Sequence, residues 1–346
     1  MRAVFKFELD TAEIEKINRF CNSVDYFSIE QSIGWLQIFY KPKIRYFYQY
    51  DDSGIKSFCQ IEEKFNSAHI FYGPVCCDRD IMISSLHEIV QYYKKRGYYY
   101  LGVQMYYKSG YDTDFIEYSL NRKYNIKYIF DSENTHTSME INLEKSVEEI
   151  FCSFREDHRK SIRKALKLGV VVDILKTSEE LDAFTAINTK MCKTRHNPDD
   201  ELPGSIIKKI FDYLTANNKG QILIVKDKEG TMVGGIVIIY QGNTIRMYKG
   251  ASDPDRRDLP IAHLLVYEIV QRAKEKKFKY LDLWGYNHFV DKDHQVYNIN
   301  KFKKGFGGYC TFFAKKMNIN LFPNGYNIFR SLSFIKNIFR KIPLKY

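Results

Sequence analysis

The sequence predicts two similar α/β domains, because one pattern of strands and a helix occurs twice along the chain. Each copy reads as strand, glycine-containing turn, strand, strand, amphipathic helix and strand. At an offset of 180 residues, these residues of the first copy recur in the second: Glu88, Ile89, Val90, Gln91, Lys94, Tyr100 and Leu101. A unit of this kind, present twice, predicts two α/β domains. The length of 346 residues also fits about two domains. The alternative is a chance similarity between two basic amphipathic helices.

The turns inside the two copies support this interpretation. They lie at residues 51–54 (DDSG) and 227–230 (DKEG), and each is flanked by apolar and aromatic stretches. Polar residues followed by glycine are typical of a turn between two strands.

A punctuated helix is predicted between the copies, over residues 146–169. Ser146 and Glu149 have the spacing of a capping box, and Gly169 can adopt the left-handed conformation that ends a helix. Four basic residues follow each other at a spacing of four: Arg155, Arg159, Arg163 and Lys167. Such a row can meet phosphate groups, and a solvated basic face is an equally good interpretation.

Composition excludes several classes of protein. Hydrophobic residues make up 45% and charged residues 27%, as in ordinary folded domains rather than disordered chains. The longest apolar run, at residues 236–240, is far shorter than the ~18 residues of a membrane-spanning helix. The first residues, MRAVFKFELD, lack a secretory apolar region, so we expect a cytoplasmic location. Seven cysteines without CxxC pairs predict reduced thiols, with no disulfide framework and no structural zinc.

Positive charge is concentrated near the C-terminus. The net charge is +11, and from Gln271 onwards 16 Lys and Arg face only 4 Asp and Glu. From Lys301 onwards there are ten basic residues and no acidic one. This excess favours an anionic partner, such as a phosphate-rich ligand, RNA or an anionic membrane surface. A solvated basic face that aids solubility is the alternative.

Three segments together resemble the Fem family (FemABX) of peptidoglycan interpeptide-bridge aminoacyltransferases. They are DHRKSIRKALKLGVVV, YKGASDPDRRDLPIAHLLVYEIVQRAKEKKFKYLDLWGY and KFKKGFGG, with weaker matches at FSIEQSIGWLQ and FYGPV. The resemblance implies two tandem GNAT-like domains, each a mixed, mostly antiparallel sheet flanked by helices, with a central cleft. We place the first domain at residues 1–145 and the second at 146–325. Residues 326–346 are then a basic amphipathic C-terminal helix or tail.

The activity that the resemblance implies is transfer of an amino acid from aminoacyl-tRNA to an amine of a muropeptide precursor, either nucleotide-linked or lipid-linked. No metal and no redox cofactor are expected. A CoA-dependent N-acyltransferase that modifies an amino sugar of an envelope polysaccharide is the nearest alternative. A non-enzymatic RNA- or membrane-binding module is a more distant one.

The pair Phe302-Lys303 matches the family's functional Phe-Lys pair. When an amine attacks an ester carbonyl, an oxyanion develops, and a cation within hydrogen-bond reach lowers that barrier. The resemblance therefore assigns Lys303 to oxyanion stabilisation or 3′-end positioning, and Phe302 to the shape of the pocket. Alternatively, the glycines of GFGG only make a turn, and Lys303 lies in solvent.

The resemblance also implies residues that bind the substrates. Arg195 stands where the family has an arginine that contacts the precursor's diphosphate. The family uses a basic residue shortly after the tryptophan that corresponds to Trp35, but here the first cation is Lys41. The candidates for lining the pocket are Tyr248, Ser252, Trp284 and Tyr286. The candidates for contacting tRNA or phosphate are Arg159, Arg163, Lys301, Lys304, Lys315 and Lys316.

Two further segments bear on ligands. An acetyl-CoA-using GNAT protein has a glycine-rich loop whose N–H groups bind pyrophosphate at a helix N-terminus. Here residues 257–262 (RDLPIA) contain Pro260, which has no N–H to donate, so ordinary CoA binding is disfavoured. Residues 288–294 (HFVDKDH) carry two histidines and two aspartates, and we expect no metal there, since such loops are common.

The C-terminal residues show an apolar stripe at alternating spacings of four and three: Ile328, Leu332, Ile335, Phe339 and Ile342. This stripe is predicted to pack on the second domain. The alternative is that it lies on the surface of the cytoplasmic membrane and brings the protein to a lipid-linked precursor.

Overall fold

The computed structural model describes residues 1–332 except 109, 130–136, 196–200 and 295. The described chain divides into two compact units. The first unit contains the described residues up to 129 and those from Phe312 onwards, and the second contains residues 137–311. Each unit is one sheet with helices packed against it, so the two similar α/β units predicted from the sequence are confirmed.

The first unit is built on an eight-stranded sheet. Its elements are β1 (Arg2–Lys6), α1 (Thr11–Ser23), β2 (Lys43–Asp51), β3 (Gly54–Lys64), β4 (Ser67–Phe71), β5 (Val75–Cys76), α2 (Arg79–Lys94), β6 (Tyr100–Gln104), α3 (Tyr111–Asn121), β7 (Asn125–Ile129) and β15 (Lys316–Asn320). The strand order is β1-β2-β3-β4-β6-β15-β7, and β5 pairs with β3. Only β4 and β6 are parallel, and α2 lies between them in the chain.

The second unit is built on a seven-stranded sheet. Its elements are β8 (Thr137–Asn142), α4 (Val147–Ser153), α5 (Glu156–Lys167), β9 (Val171–Ile174), α6 (Ser178–Thr194), α7 (Gly204–Asn217), β10 (Gly220–Lys226), β11 (Met232–Gln241), β12 (Thr244–Ser252), α8 (Ile261–Glu275), β13 (Tyr280–Asp282), α9 (Tyr297–Lys304) and β14 (Tyr309–Phe312). The strand order is β14-β8-β13-β12-β11-β10-β9. The neighbours β12 and β13 are parallel, and α8 connects them.

The two sheets have the same strand order, and the residues repeated in the sequence occupy equivalent places in both. In each unit a four-stranded meander leads through a helix to a parallel strand. Ile89 and Val90 on α2 are buried in the first core, as Ile269 and Val270 on α8 are in the second. The repeat therefore reflects equivalent packing of a helix on its sheet.

The strand beyond the parallel pair comes from the other end of the chain in both sheets. In the first sheet, β15 lies between β6 and β7, and in the second β8 lies beside β13. Sequence analysis placed β8 in the first domain and β15 in the second, with limits at 145 and 325. The structure differs because each of these strands satisfies backbone hydrogen bonds of a strand in the other unit's sheet.

The helix predicted over residues 146–169 is two helices. The capping box at Ser146 begins α4 as expected, but Phe154 and Arg155 are extended, with ψ of 144° and 146°. The Phe154 ring packs edge-on against Phe306, with centroids 5.1 Å apart, and the Arg155 N–H donates to the Gly305 carbonyl at 2.7 Å. These tertiary contacts break the helix, so Arg155 precedes α5 instead of continuing the basic row.

The C-terminal segment is described only to residue 332. Residues 325–332 are helical, and Tyr326 and Phe329 pack on Tyr100 of the first unit, with ring centroids 5.2 and 5.0 Å apart. Ile328 and Leu332 are exposed, so this part of the apolar stripe does not pack as predicted. Ile335, Phe339 and Ile342 lie outside the described residues. Nowhere in the described chain does a helix combine the length and apolar character that crossing a bilayer requires.

We expect Gly235→Ala to destabilise the second unit, because β11 is packed closely on both sides of this glycine. An added Cβ would lie 2.5 Å from the Leu223 carbonyl oxygen and 3.0 Å from the Phe184 ring. The free energy of unfolding should fall by about 1–3 kcal/mol in urea denaturation. Gly250→Ala is the control, since its Cβ would meet only Ile236, at 3.6 Å. Equal destabilisation by both variants would contradict this packing.

Candidate functional site

Lys303 is directed at the loop that follows β13. It stands in the last turn of α9, and its Nζ donates to the carbonyl of Trp284 and, at 2.8 Å, to that of Gly285. Both of these residues have positive φ, 45° and 54°. An added Cβ at Gly285 would lie 3.3 Å from the Lys303 Nζ, so the glycine leaves room for the ammonium group. The alternative of a lysine lying free in solvent therefore does not apply.

The surroundings of Lys303 disfavour its charge. Burial lowers the pKa of the Lys303 ammonium to about 8, and the negative charge of Asp282 acts in the opposite direction. The group is therefore mainly protonated at pH 7, with a pKa close enough to neutrality for its charge to respond to pH.

Beside this lysine, the sheet carries a buried row of charged residues. Arg246 on β12, Asp282 on β13 and Glu140 on β8 are register neighbours, and all three are 0% exposed. The Arg246 Nε lies 3.4 Å from the Asp282 Oδ2, and its guanidinium carbon lies 3.7 Å from the Trp284 ring centroid. The Asp282 Oδ1 accepts hydrogen bonds from the Trp284 N–H, at 2.8 Å, and from the Ser138 hydroxyl. This row anchors the loop that Lys303 binds.

Phe302 lies in a cluster of aromatic rings. Its ring contacts those of His158, His263 and Phe306, with centroids 5.0 to 5.5 Å apart. The His158 ring also lies where a Cβ on Gly305 would be, 2.1 Å from its Cε1. Burial lowers the pKa of His263 to about 4, so this ring is neutral at pH 7. The cluster fixes the end of α9 and thereby the position of Lys303.

A cavity of about 570 Å³, which we call the Arg195 cavity, lies at the N-terminus of α8. Arg195 and Ser252, both predicted to bind substrate, line it together with Arg257, Pro260 and His263. Pro260 is the N-cap of α8, and the Ile261 N–H already donates to the Leu259 carbonyl at 2.9 Å. Two backbone groups at this helix start are therefore not available to a pyrophosphate.

A second cavity, of about 300 Å³, lies on the other side of α9 from Lys303. We call it the basic cavity. The residues used below to describe it are Arg155, His288, Tyr297, Lys301 and Lys304, and Tyr286 also lines it. Three residues predicted from the sequence, Tyr286, Lys301 and Lys304, thus share one cavity.

The other predicted site residues are more dispersed. Tyr248 is half-buried on β12. Arg159 donates to the Cys152 carbonyl at 2.6 Å, and Arg163 lies 5.3 Å from the Phe151 ring centroid. Lys41, Lys315 and Lys316 belong to the first unit, where Lys315 lies 3.5 Å from Glu117.

The largest cavity found in the described residues, about 810 Å³, lies in the first unit between α1 and the β2–β3 hairpin. None of the predicted site residues lines it. Its Glu13 carboxylate is bound by Lys6 and Tyr48, which lower the pKa of Glu13 to about 2. Size alone does not make it the site, because the group with chemical potential, Lys303, lies elsewhere. No cluster of three metal-ligating side chains occurs in the described chain.

Sequence reasoning missed several residues of the site. His158 adjoins Arg159 in a segment already singled out, but its packing against Gly305 depends on tertiary structure. Arg246 carried a usable signal, since an arginine between apolar residues of a central strand requires a buried partner. The sequence did not indicate that His263 would join the Phe302 rings.

A sheet whose parallel pair, β12 and β13, is bridged by α8 places the second unit in a known class of acyl-transferring domains. Residues 153–295 match the family described as "Acetyltransferase (GNAT) domain". The predicted GNAT-like fold class is thus confirmed.

Particular relatives make the assignment more specific. The chain is 30% identical over 89 residues, 26% of its length, to the lipid II:glycine glycyltransferase of Staphylococcus haemolyticus strain JCSC1435. It is 30% identical over 85 residues to the protein of that name from Staphylococcus epidermidis strain RP62A, covering 25% of this chain. The matches span 21% and 20% of these relatives, so the chain covers about a fifth of their length.

Solved structures extend the likeness to both units. A crystal structure of FemX superposes with a TM-score of 0.81 at 16% identity, covering 95% of this chain and 99% of that one. The structure of L-PGS from Bacillus licheniformis gives 0.61 at 11% identity, covering 93% and 96%. A tandem GNAT protein from the clavulanic acid pathway gives 0.52 at 8% identity, covering 93% and 99%. The resemblance to FemABX-type proteins that the sequence predicted is confirmed.

We expect Asp282→Asn to lower stability strongly, because it leaves the buried Arg246 guanidinium facing a neutral amide. The free energy of unfolding should fall by about 3 kcal/mol, measured by urea denaturation. The control is Asp212→Asn, which removes an exposed pair with Lys208 of 3.1 Å and should cost less than about 0.5 kcal/mol. A decrease no larger than that of the control would show that the row is not an anchor.

Proposed function

We propose that the protein is an aminoacyltransferase that moves an amino acid from aminoacyl-tRNA to an amino group of a peptidoglycan precursor. The observation that carries this proposal is the lysine ammonium at the end of β13, in a chain with the FemX fold. The local identity to lipid II:glycine glycyltransferases supports a lipid-linked precursor over a nucleotide-linked one.

In the proposed reaction, the acceptor amine attacks the carbonyl carbon of the aminoacyl ester. A C–N bond forms, the ester C–O bond breaks, the tRNA 3′-terminal oxygen leaves, and the amine loses a proton. The carbonyl oxygen becomes negative in the transition state, and Lys303 supplies a cation to stabilise it.

The bonding of Lys303 suits this role. An ammonium group has three N–H donors. Two of them bind the carbonyls of Trp284 and Gly285, which fix the direction of the group. The third has no partner among the described residues and is the one assigned to the oxyanion. Because the cation is held before substrate binds, little reorganisation is needed during the reaction.

The start of α8 supports tRNA over CoA as the acyl donor. A CoA pyrophosphate needs several free N–H groups at this helix N-terminus. Pro260 has none, and the Ile261 N–H is bonded to the Leu259 carbonyl. We therefore propose no cofactor, and the CoA-dependent alternative loses its main binding element.

The Arg195 cavity is the proposed place of the acceptor's phosphate groups. The planar guanidinium of Arg195 suits bidentate contact with a diphosphate, and Ser252 adds a hydroxyl to the same lining. Tyr248, Trp284 and Lys41 remain candidates for contacts with the acceptor.

The exposed cations are proposed to receive the RNA. Arg163, Lys301, Lys304 and Lys315 are exposed, and Arg159 and Lys316 are half-buried. Their contacts would make donor binding sensitive to salt. We propose a cytoplasmic location, with peripheral contact to the membrane that carries the lipid-linked precursor.

The donor is tested by supplying purified protein and lipid-linked precursor with either charged tRNA or acyl-CoA. We expect consumption of charged tRNA in a filter assay and no thiol release from acyl-CoA. The reverse result would favour the CoA-dependent N-acyltransferase, and neither signal would favour a binding module.

Lys303→Ala should reduce kcat by about 10²- to 10³-fold, as removal of an oxyanion-stabilising donor does. Lys209→Ala, which removes an exposed lysine on α7, is the control and should leave kcat unchanged. Both variants should keep their circular dichroism spectra. Full turnover in Lys303→Ala would remove this lysine from the mechanism.

The lowered pKa of Lys303 predicts a pH dependence. The ammonium is the active form, so kcat should fall about tenfold per pH unit as the pH rises through about 8. Lys303→Arg should abolish this alkaline limb, because a guanidinium stays protonated. An unchanged limb in the arginine variant would assign the titration to another group.

A further inference from the structure

We infer that the basic cavity binds a phosphate of single-stranded RNA, at the nucleotide next to the aminoacylated end. The inference deepens the proposed function and rests on its assignment of an RNA donor. The cavity is separate from the Arg195 cavity, with which it shares no lining residue.

Three cations from two helices line this cavity. Lys301 and Lys304 are three residues apart on α9, so they project from the same face. Arg155 comes from the start of α5, and its guanidinium binds Asp157 at 2.5 and 2.6 Å. Neither lysine forms an ion pair within the part of the chain that the structure describes. Two uncompensated positive charges beside an oriented guanidinium favour a phosphate as ligand.

Cations in the last turn of a helix also interact favourably with the helix dipole. That effect requires no cavity and no contribution from a second helix. The convergence of Arg155 on the same space therefore points to a ligand.

The walls of the cavity are held by buried hydrogen bonds. The Asn300 Nδ2 donates to the Asn287 carbonyl at 2.6 Å, and the Asn287 N–H donates to the Asn300 Oδ1 at 3.2 Å. Both residues are 6% exposed. These bonds fix the loop after β13 to α9, so the cavity is formed before a ligand enters.

The cavity also offers rings. Tyr297 and the exposed His288 line it, which allows a base or ribose to lie against an aromatic surface. Its volume of about 300 Å³ is at the lower end of ligand pockets and suits a single nucleotide.

The position of the cavity connects it to the reacting group. Lys303 stands between Lys301 and Lys304 in the chain and binds the Gly285 carbonyl, and Tyr286, the next residue, lines the cavity. The same helix and the same loop therefore present Lys303 on one side and the cavity on the other. A nucleotide bound here lies within a nucleotide's length of the ester, which points to RNA as the source of the phosphate.

The test is binding of a short uncharged RNA ending in CCA, measured by fluorescence anisotropy at several salt concentrations. Lys301→Gln/Lys304→Gln should weaken binding about tenfold or more. It should also reduce the slope of log Kd against log salt by about 0.7 for each phosphate that the protein no longer neutralises. Tyr297→Leu should weaken binding several-fold with an unchanged salt slope.

The control is Lys176→Gln/Lys209→Gln, which removes the same charge from exposed sites of the second unit. It should bind RNA like the wild type. Equal weakening by both double variants would overturn the inference, because the effect would then be one of net charge.

A second arm uses UDP-N-acetylglucosamine as a probe for a diphosphate of the acceptor. If the cavity variant fails to bind this ligand while RNA binding is unchanged, the cavity belongs to the acceptor and the inference is wrong. If the wild-type protein binds no RNA, the proposed donor fails together with the inference. If RNA is bound but the cavity variant binds it equally well, only the inference fails.

Discussion

The placement of one ammonium group is the constraint on which the site of this protein depends. Lys303 binds two consecutive carbonyls, and these belong to residues whose left-handed backbone is held by the Asp282 carboxylate and the Arg246 guanidinium. The lysine is thus oriented by the sheet and not by its own flexible stem. Burial lowers its pKa, but only to a value that still keeps the group mainly charged at neutral pH.

The packing around α9 extends this constraint. His158 fills the space beside Gly305, and the Arg155 N–H binds the Gly305 carbonyl, so the helix carrying Lys303 ends at a defined place. The Arg195 cavity lies at the start of α8, and the basic cavity lies beside α9. Both are connected to Lys303 through short stretches of chain, which is consistent with separate places for acceptor and donor in the second unit.

Most of the fold was predictable from residue patterns. The buried pairs Ile89-Val90 and Ile269-Val270 occur at one offset because each helix packs on an equivalent sheet. The exchange of β8 and β15 was not predictable, since strand partners are chosen by hydrogen bonds between segments distant in the chain. The same holds for the break at Phe154, where the ring of Phe306 overrides a continuous helical pattern.

Residue patterns were enough to establish the class of each unit, the Phe302-Lys303 pair and the basic character of the segment around them. What these residues do together depends on three-dimensional packing: Lys303 binds a loop, while Lys301 and Lys304 face a cavity. Packing also brings Arg246 onto Asp282 and His263 onto Phe302. The difference arises because periodicity and propensity are local, whereas burial, ion pairing and pKa shifts depend on which distant side chains share the same space.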